Sequence, residues 1–327
     1  MVQFTYTLNV KYFMNNMKEG LIMSDTQLIG FDCGRGYVKV FTMIGKEVKE
    51  VMFKSVIGDG RENKVEHKSY PDPIFIEYNK RQYFVGLLAE KESYAPIRNS
   101  KDSKISKTVE VLLAAALEQV AIKDKVKIVF GVPYKNYTET VLKEVINTYK
   151  GKTMTVKNKL TGTTKEVFIE DVDIFREADA ALLHAIKGEV NEYKPVGLIN
   201  IGFRTMELSY FDKGFNFNDK LSNTVEYGNS TILKMVRDKI QDENIDKSLN
   251  EIDSSDDYDD LKKEAYEHAS EGLDQMIEEH WPNKDEMDLY LAGGTSLHLN
   301  PGDNFIKLPD AQTATAKGLY EYAKIRF

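Results

Sequence analysis

The chain has 327 residues, of which 42% are hydrophobic and 29% are charged, and its formal net charge at pH 7 is −8. This length allows two domains in a composition typical of globular proteins, and no apolar run reaches the roughly 18 residues that span a membrane. The acidic balance argues against a large direct DNA-binding face, which needs clustered lysine and arginine. The single cysteine, Cys33, excludes an intrachain disulfide and fits a reducing cytosol.

Residues 1–23 are interpreted as an N-terminal extension. Apolar and polar residues alternate between positions 2 and 10, as they do in a short strand. A natural extension, an upstream start codon and an edge strand remain the alternatives for this segment.

Residues 24–188 predict a first domain of strands and helices. Polar, loop-rich sequence with a hairpin predicts a small inserted subdomain at about 56–97, and the basic stretch 152–165 predicts an exposed hairpin. The predicted strands are 28–31, 37–43, 47–53, 74–78, 82–86, 126–130 and 167–175, and the predicted helices are 107–119, 137–149 and 177–186.

Residues 189–307 repeat this plan and predict a second domain, with a small subdomain at about 226–284. The predicted strands are 197–201 and 207–211, the predicted helices are 229–240 and 261–281, and a closing helix at 310–322, within a segment 308–327, returns to the first domain. The acidic run 253–260 lacks the glycine and terminal glutamate of a calcium loop. It is interpreted as a solvated loop before a helix N-terminus, where acidic residues are favourable.

Three apolar strands run into tight glycine turns, in a fixed order along the chain. They are residues 29–39 (IGFDCGRGYVK), 197–205 (GLINIGFRT) and 289–296 (LYLAGGTS). Each turn alone is compatible with a hairpin whose glycines serve geometry only. The ordered set favours two similar half-domains that close on one phosphorylated ligand.

The first turn carries groups that suit phosphate. Gly34 and Gly36 let the backbone approach a ligand, and successive amides in such a turn form an anion-binding concavity. Arg35 and Lys39 add positive charge. Asp32, at the end of the strand, can hold Mg²⁺ through water. The second turn offers Gly202, Phe203, Arg204 and Thr205 in the same way.

In this order the motifs resemble those of the bacterial actin-like ATPases of the ParM/StbA plasmid-segregation family, over residues 24–327. The resemblance implies an α/β, actin-like (ribonuclease H-like) ATPase fold with two similar domains around a nucleotide cleft. The matching segments are the two phosphate loops at 29–39 and 198–207, the adenosine loop at 289–296, the strand end FGVP at 130–133, the carboxylate segment FREADAA at 175–181 and the closing helix at 316–318.

The resemblance also implies roles for individual residues. Glu177, which follows a strand and begins a helix, is the expected hydrolytic carboxylate, and Asp32 is expected to assist catalysis by placing Mg²⁺. The alternative for Glu177 is a helix-terminal glutamate stabilised by the helix dipole. The expected nucleotide contacts are Gly34, Arg35, Gly36, Lys39, Asn200, Gly202, Phe203 and Thr205 for the phosphates, and Glu226, Asn229, Gly293, Gly294 and Thr295 for the nucleoside.

Four positions, in three segments, depart from the family pattern. Asn200 stands where the second phosphate loop normally has aspartate, and an amide brings no negative charge to a metal ion. Thr205 is followed by Met206 and Glu207 instead of threonine and aspartate. Arg176 stands where the family often has proline.

The function implied is a filament that polymerises with ATP or GTP and Mg²⁺, hydrolyses the nucleotide and segregates plasmid or phage DNA in the cytoplasm. Its expected partners are other copies of the chain and a DNA-binding adaptor of the ParR type, without direct DNA binding and without a membrane. Two alternatives stay open. One is a monomeric actin-fold ATPase, such as a sugar kinase or chaperone-like domain, for which Glu177 and Asp179 are the candidate bases. The other is a hydrolysis-poor nucleotide-binding scaffold, which Asn200 favours.

Overall fold

The computed structural model describes residues 25–61, 70–100, 103–186, 191–308 and 310–327. The predicted extension at 1–23 lies outside these residues, as does the predicted boundary between the two domains at 188 and 189. The described residues form two compact units. We call residues 25–180 with 316–327 the first unit, and residues 181–315 the second unit.

The first unit contains a ten-stranded sheet. Its strands are β1 (Gln27–Cys33), β2 (Tyr37–Ile44), β3 (Glu47–Lys54), β4 (Val56–Asp59), β5 (Ile74–Tyr78), β6 (Arg81–Val85), β7 (Ile97–Arg98), β8 (Lys125–Val132), β9 (Thr153–Asn158) and β10 (Thr164–Arg176). They lie in the order β3-β2-β1-β8-β10-β9-β5-β6-β4-β7. Because β1, β8 and β10 are parallel, their carboxyl ends meet at one edge of the sheet, next to the glycine turn that follows β1.

The second unit repeats the central part of this arrangement in a smaller sheet. Its strands are β11 (Val196–Ile201), β12 (Met206–Asp212), β13 (Asn216–Phe217), β14 (Asn223–Val225), β15 (Asp288–Ala292) and β16 (Phe305–Lys307). β11 forms an antiparallel hairpin with β12 and pairs in parallel with β15, as β1 does with β2 and β8. The second glycine turn therefore has the same place in its sheet as the first.

Eight helices in the described residues cover or border these sheets. They are α1 (Leu87–Glu92), α2 (Lys107–Val120), α3 (Glu139–Tyr149), α4 (Glu177–Ile186), α5 (Asn229–Asp242), α6 (Leu249–Ser254), α7 (Asp259–His280) and α8 (Ala314–Arg326). The Ser106 side chain caps α2 by accepting from the Val109 amide, and most of that helix is buried because it is rich in alanine, leucine and valine. No helix in this part of the chain is long and apolar enough to cross a membrane.

Glycines allow α8 to pack very closely within the first unit. A Cβ at Gly30 of β1 would lie 2.2 Å from the Ala316 carbonyl oxygen, and a Cβ at Gly318 would lie 1.6 Å from the Ala180 carbonyl oxygen. A larger residue at either position would require the backbones to separate. This contact fixes the closing helix against β1 and α4.

Two predicted boundaries differ from the structure. The closing helix begins at Ala314 and not at 310, because the Ala311 carbonyl accepts from the Gly293 amide and not from an amide of the helix. The predicted loop between α5 and α7 contains helix α6, which a capping box of Ser248 and Glu251 begins. The other predicted strands and helices are confirmed to within a few residues, and α4 has the predicted bounds.

Candidate functional site

The first glycine turn is held in shape by hydrogen bonds from its surroundings. The Gly34 amide donates to the Tyr37 carbonyl at 3.1 Å, which closes the turn. The Gly34 carbonyl accepts from Ser55 Oγ at 2.7 Å and from Asn99 Nδ2 at 3.3 Å, and the Gly36 carbonyl accepts from the Ser55 amide at 2.9 Å. These hydrogen bonds fix the directions of the turn's carbonyl groups.

Asp32 and Lys39 form a partly buried ion pair beside this turn. They face each other across β1 and β2, and Lys39 Nζ lies 3.0 Å from Asp32 Oδ2. Asp32 is 4% exposed, so its carboxylate has little contact with water. Arg35 lies between them in sequence and is partly buried in the turn. The structure thus gathers the predicted residues Asp32, Gly34, Arg35, Gly36 and Lys39 at one end of the sheet.

Glu177 lies at the same edge of the first unit and is paired with a lysine. It begins α4 directly after β10, and its Oε1 is 3.2 Å from Lys104 Nζ. Lys104 Nζ also donates to the Cys33 carbonyl at 3.1 Å. A Cβ at Gly131 would lie 3.0 Å from Glu177 Cγ, so the glycine of the FGVP strand end leaves room for the Glu177 side chain.

The charges in this cluster change one another's pKa values. Burial raises the pKa of Glu177, Lys104 opposes that effect, and Asp32 adds to it. Burial by itself would lower the pKa of Lys104, but the nearby Glu177, Cys33 and Asp32 outweigh it, so that the pKa of Lys104 is raised. Burial raises the pKa of Cys33 to about 12, so its thiol stays protonated at neutral pH. The cluster thus contains two ion pairs, Asp32 with Lys39 and Glu177 with Lys104.

Arg176 has a structural partner that accounts for its departure from the family pattern. Its guanidinium pairs with Asp179, one turn further along α4, and both side chains are about 5% exposed. It also lies over the Tyr137 ring, with the guanidinium carbon 5.5 Å from the ring centroid. The pair closes the first turn of the helix that carries Glu177.

In the second unit, the Gly202 turn is bound to two other segments. The Gly202 carbonyl accepts from the Asn229 amide at 3.1 Å and from Thr295 Oγ1 at 2.9 Å, and the Phe203 carbonyl accepts from the Ser230 amide at 2.7 Å. A Cβ at Gly228 would lie 2.5 Å from the Gly202 carbonyl oxygen. The turn, the start of α5 and the segment after β15 are therefore in direct contact.

Asn200 has a carboxylate across the hairpin. Its Cα pairs with that of Glu207, so both side chains are on the same face of the sheet. Asn200 is 8% exposed and Glu207 2%, and Glu207 Oε2 accepts from Thr224 Oγ1 at 2.6 Å. The two departures at 200 and 207 thus occupy facing positions.

The remaining predicted nucleoside residues lie around the same turn. Gly293 has φ +88°, and a Cβ there would lie 2.2 Å from the Ile201 carbonyl oxygen, so this position requires glycine. Gly294 follows it, near the side chain of Gln312. Glu226 is exposed, and its Oε2 accepts from Arg204 Nε at 2.8 Å.

A pocket of about 670 Å³ lies along α7 in the second unit, and we call it the α7 pocket. Asn229 is hydrogen-bonded to two residues that line this pocket. Its Nδ2 donates to Asp253 Oδ1 at 3.1 Å, and its Oδ1 accepts from Tyr266 OH at 2.6 Å. The Tyr266 ring stacks on His298, with ring centroids 4.7 Å apart. Burial, with a contribution from Asp253, raises the pKa of Tyr266 to about 12. The pocket is lined by Asp253, Lys262, Tyr266, Glu267, His298 and Asn300, among others.

The sequence does not predict two residues of the candidate site, Lys104 and Asp253. Lys104 pairs with Glu177, and Asp253 lines the α7 pocket. Lys104 lies in a polar loop, NSKDSKIS at 99–106, in which nothing marks it as buried. Asp253 was assigned to a solvated loop, whereas it lies in α6 and lines the α7 pocket. The signal that could have found Asp253 is the S-x-x-E capping pattern at 248–251, which places it on a short helix.

Two units with matching hairpins, parallel neighbours and glycine turns define an actin-like fold. Residues 30–178 match the family described as "Actin like proteins N terminal domain". Together with the solved structures that follow, this match confirms the predicted actin-like fold and the resemblance to the ParM-type proteins. No curated protein matches the chain.

Several solved structures share the fold over nearly the whole chain. The ParM protein of a 15-stranded filament from Clostridium botulinum has a TM-score of 0.78 and 22% identity, with 93% of this chain and 100% of that chain covered. An archaeal actin homologue, Ta0583, has a TM-score of 0.75 and 18% identity, with 92% and 100% covered. Its complex with ADP has a TM-score of 0.72 and 19% identity, with 92% and 99% covered. At these identities the likeness establishes the fold.

Proposed function

We propose that the protein binds ATP or GTP together with Mg²⁺, hydrolyses the nucleotide, and forms filaments that segregate plasmid or phage DNA in the cytoplasm. The observation that carries this proposal is the hydrogen-bonded path in the second unit from the Gly202 turn through Asn229 to the α7 pocket. A phosphate-binding turn joined to a pocket of this volume suits a nucleotide, because one ligand carries both kinds of group.

The glycine turns are the proposed phosphate contacts, and the segment after β15 is the proposed nucleoside contact. The ordered Gly34 turn fits this role because its carbonyls are bonded to Ser55 and Asn99, which fixes the direction of its backbone. Asp32 is a carboxylate at the end of β1, next to the Gly34 turn, and such a group can hold Mg²⁺ through a water molecule. Mg²⁺, when bound, would supply charge neutralisation on the phosphates.

Glu177 is the proposed hydrolytic residue. Phosphoryl transfer to water requires a group that orients the attacking water, and a carboxylate whose pKa is raised by burial can also accept its proton. The position of Glu177 at the start of α4, with space left by Gly131, supports this role. Lys39 and Lys104 keep the local charge balanced.

Filament formation is proposed from the fold. The Clostridium botulinum ParM relative forms a filament, and heterologous contacts that do not close into a ring generate helical polymers. The net charge of −8 favours attachment to DNA through a basic adaptor of the ParR type over direct contact with DNA.

The test of this function is light scattering by the purified protein on addition of Mg²⁺-ATP and then Mg²⁺-GTP, with phosphate release followed in the same sample. We expect scattering to rise only with nucleotide and to fall as phosphate is released. Phosphate release without any rise in scattering would contradict the filament and favour a monomeric ATPase.

A hydrolysis-poor scaffold is the second candidate, and Asn200 is the observation that favours it. An amide in place of a carboxylate weakens the charge available to a metal ion, although Glu207 faces it across the hairpin. Tight nucleotide binding without phosphate release in the same assay would select this candidate.

The α7 pocket gives a direct test of nucleoside binding. Tyr266→Ala removes an aromatic surface and the hydroxyl bonded to Asn229, and we expect the dissociation constant for nucleotide to rise about tenfold. Tyr193→Ala is the matched control, because Tyr193 is in the same unit and is 86% exposed. Titration with a fluorescent nucleotide measures both, and equal affinities for the two variants would remove the pocket from the site.

A further inference from the structure

Lys104 is a buried lysine in the charged cluster of Asp32, Lys39, Lys104 and Glu177, and the sequence assigns it no role. It is 6% exposed, and its Nζ contacts two different elements, the end of β1 at the Cys33 carbonyl and the start of α4 at Glu177 Oε1. We infer that Lys104 is a positioning residue for hydrolysis, which holds the Glu177 carboxylate in its working direction. This inference rests on the hydrolytic function proposed above.

The geometry restricts the Lys104 side chain at both ends. Its backbone carbonyl accepts from Tyr149 OH at 2.8 Å, and Tyr149 is fully buried, so the base of the side chain is fixed. Its ammonium group has three donors, of which one is used by the Cys33 carbonyl at 3.1 Å and one by Glu177 at 3.2 Å. A carboxylate held by a fixed donor cannot rotate freely, and such restriction is what a water-orienting group needs.

Charge explains why a lysine is suited to this place. Asp32 and Glu177 are like charges in one buried cluster, and Lys39 is already paired with Asp32 at 3.0 Å. Lys104 is therefore the counter-charge of Glu177. Removing one partner of a buried pair leaves the other charge uncompensated, which drives it to turn away or take up a proton.

The loop that carries Lys104 also contacts the phosphate turn. Asn99 Nδ2, five residues earlier, donates to the Gly34 carbonyl at 3.3 Å. One loop thus holds both the turn proposed for phosphate and the carboxylate proposed for hydrolysis. The side chain of Lys104 contacts the carboxylate, whereas that of Asn99 contacts the turn. We therefore expect the loss of the Lys104 side chain to lower the rate of hydrolysis more than the affinity for nucleotide.

The experiment compares Lys104→Met, Lys104→Arg, Glu177→Gln and the Lys104→Met/Glu177→Gln double variant by steady-state phosphate release and nucleotide titration. We expect Lys104→Met to lower kcat about 30-fold with the dissociation constant changed less than about threefold, and Lys104→Arg to restore most of kcat. If Lys104 acts through Glu177, the double variant should be no slower than Glu177→Gln alone.

Lys165→Met is the control for a lysine with a structural role. Lys165 Nζ donates to the carbonyls of Glu118 and Ala121 at the end of α2, so its loss should lower the melting temperature without changing kcat. Unchanged kcat in Lys104→Met, multiplied effects in the double variant, or parallel loss of affinity and kcat would each overturn the inference. A wild-type protein that releases no phosphate would instead overturn the proposed hydrolysis, and the role of Lys104 with it.

Discussion

Glu177→Gln is expected to slow nucleotide hydrolysis about 100-fold or more while nucleotide affinity stays within about threefold. An amide has nearly the shape of a carboxylate, and its oxygen can still accept from Lys104, so the side chain keeps its place. It cannot accept a proton from water, and this loss is the reason for the expected slowing. The variant therefore separates chemistry from binding.

The matched control for this variant is Glu139→Gln. Glu139 is also the first residue of a helix, α3, but its side chain is 57% exposed and pairs with Lys143 at 2.8 Å on the surface. Phosphate release under saturating Mg²⁺-ATP and Mg²⁺-GTP should be slowed by Glu177→Gln and unaffected by Glu139→Gln. Equal rates of phosphate release for Glu177→Gln and the wild type would contradict the hydrolytic role. They would favour the alternative that Glu177 only stabilises a helix end.

The glycine turns and the elements around them could be predicted because their signals are local. Helix α4 has its predicted bounds because Glu177 follows an apolar strand and four of the ten residues of the helix are alanine. The hairpin around Asn79 and Lys80 could be predicted because these two residues separate two short strand-like segments, and in the structure both have the positive φ of such a turn. Short-range periodicity and turn chemistry are enough for such elements.

The residues that complete the candidate site could not be predicted because tertiary structure brings them together. Lys104 meets Glu177 across 73 residues of sequence, and a lysine in a polar loop carries no mark of burial. Tyr266 meets Asn229 across 37 residues. The start of α8 was misplaced for the same reason, since the bond from Gly293 to Ala311 that keeps this segment out of the helix joins distant segments.

The two hairpins resemble each other in form but differ in charge. In the first, the carboxylate Asp32 is on the incoming strand and faces Lys39 on the outgoing strand. In the second, the amide Asn200 is on the incoming strand and faces the carboxylate Glu207. Each hairpin thus has one carboxylate in this pair of facing residues. It is on the first strand of the first hairpin, at Asp32, and on the second strand of the second hairpin, at Glu207. The absence of aspartate at 200 therefore leaves a carboxyl group, that of Glu207, on that face of the second sheet.

Gly293→Ala is the variant with the largest expected effect on stability. Gly293 has φ +88°, a conformation that an alanine adopts at a penalty of about 1–3 kcal/mol. The added Cβ would also lie 2.2 Å from the Ile201 carbonyl oxygen and 2.6 Å from its carbonyl carbon, atoms of a buried strand that cannot move independently. Overpacking of this kind adds about 1–3 kcal/mol, so we expect a total loss of about 2–6 kcal/mol.

Thermal unfolding followed by circular dichroism measures this loss, which corresponds to a fall in melting temperature of about 3–9 °C for a chain of 327 residues. Gly272→Ala is the matched control, because Gly272 is exposed in α7 and its added Cβ would meet nothing within 4 Å. That variant should gain up to about 1 kcal/mol from helix propensity. Thr295 donates to the Gly202 carbonyl, and Gly293 packs closely against Ile201 next to that turn. Weaker nucleotide binding should therefore accompany the loss of stability in Gly293→Ala and not in Gly272→Ala. A Gly293→Ala protein as stable as the wild type would mean that this turn does not have the backbone conformation on which the nucleoside contact depends.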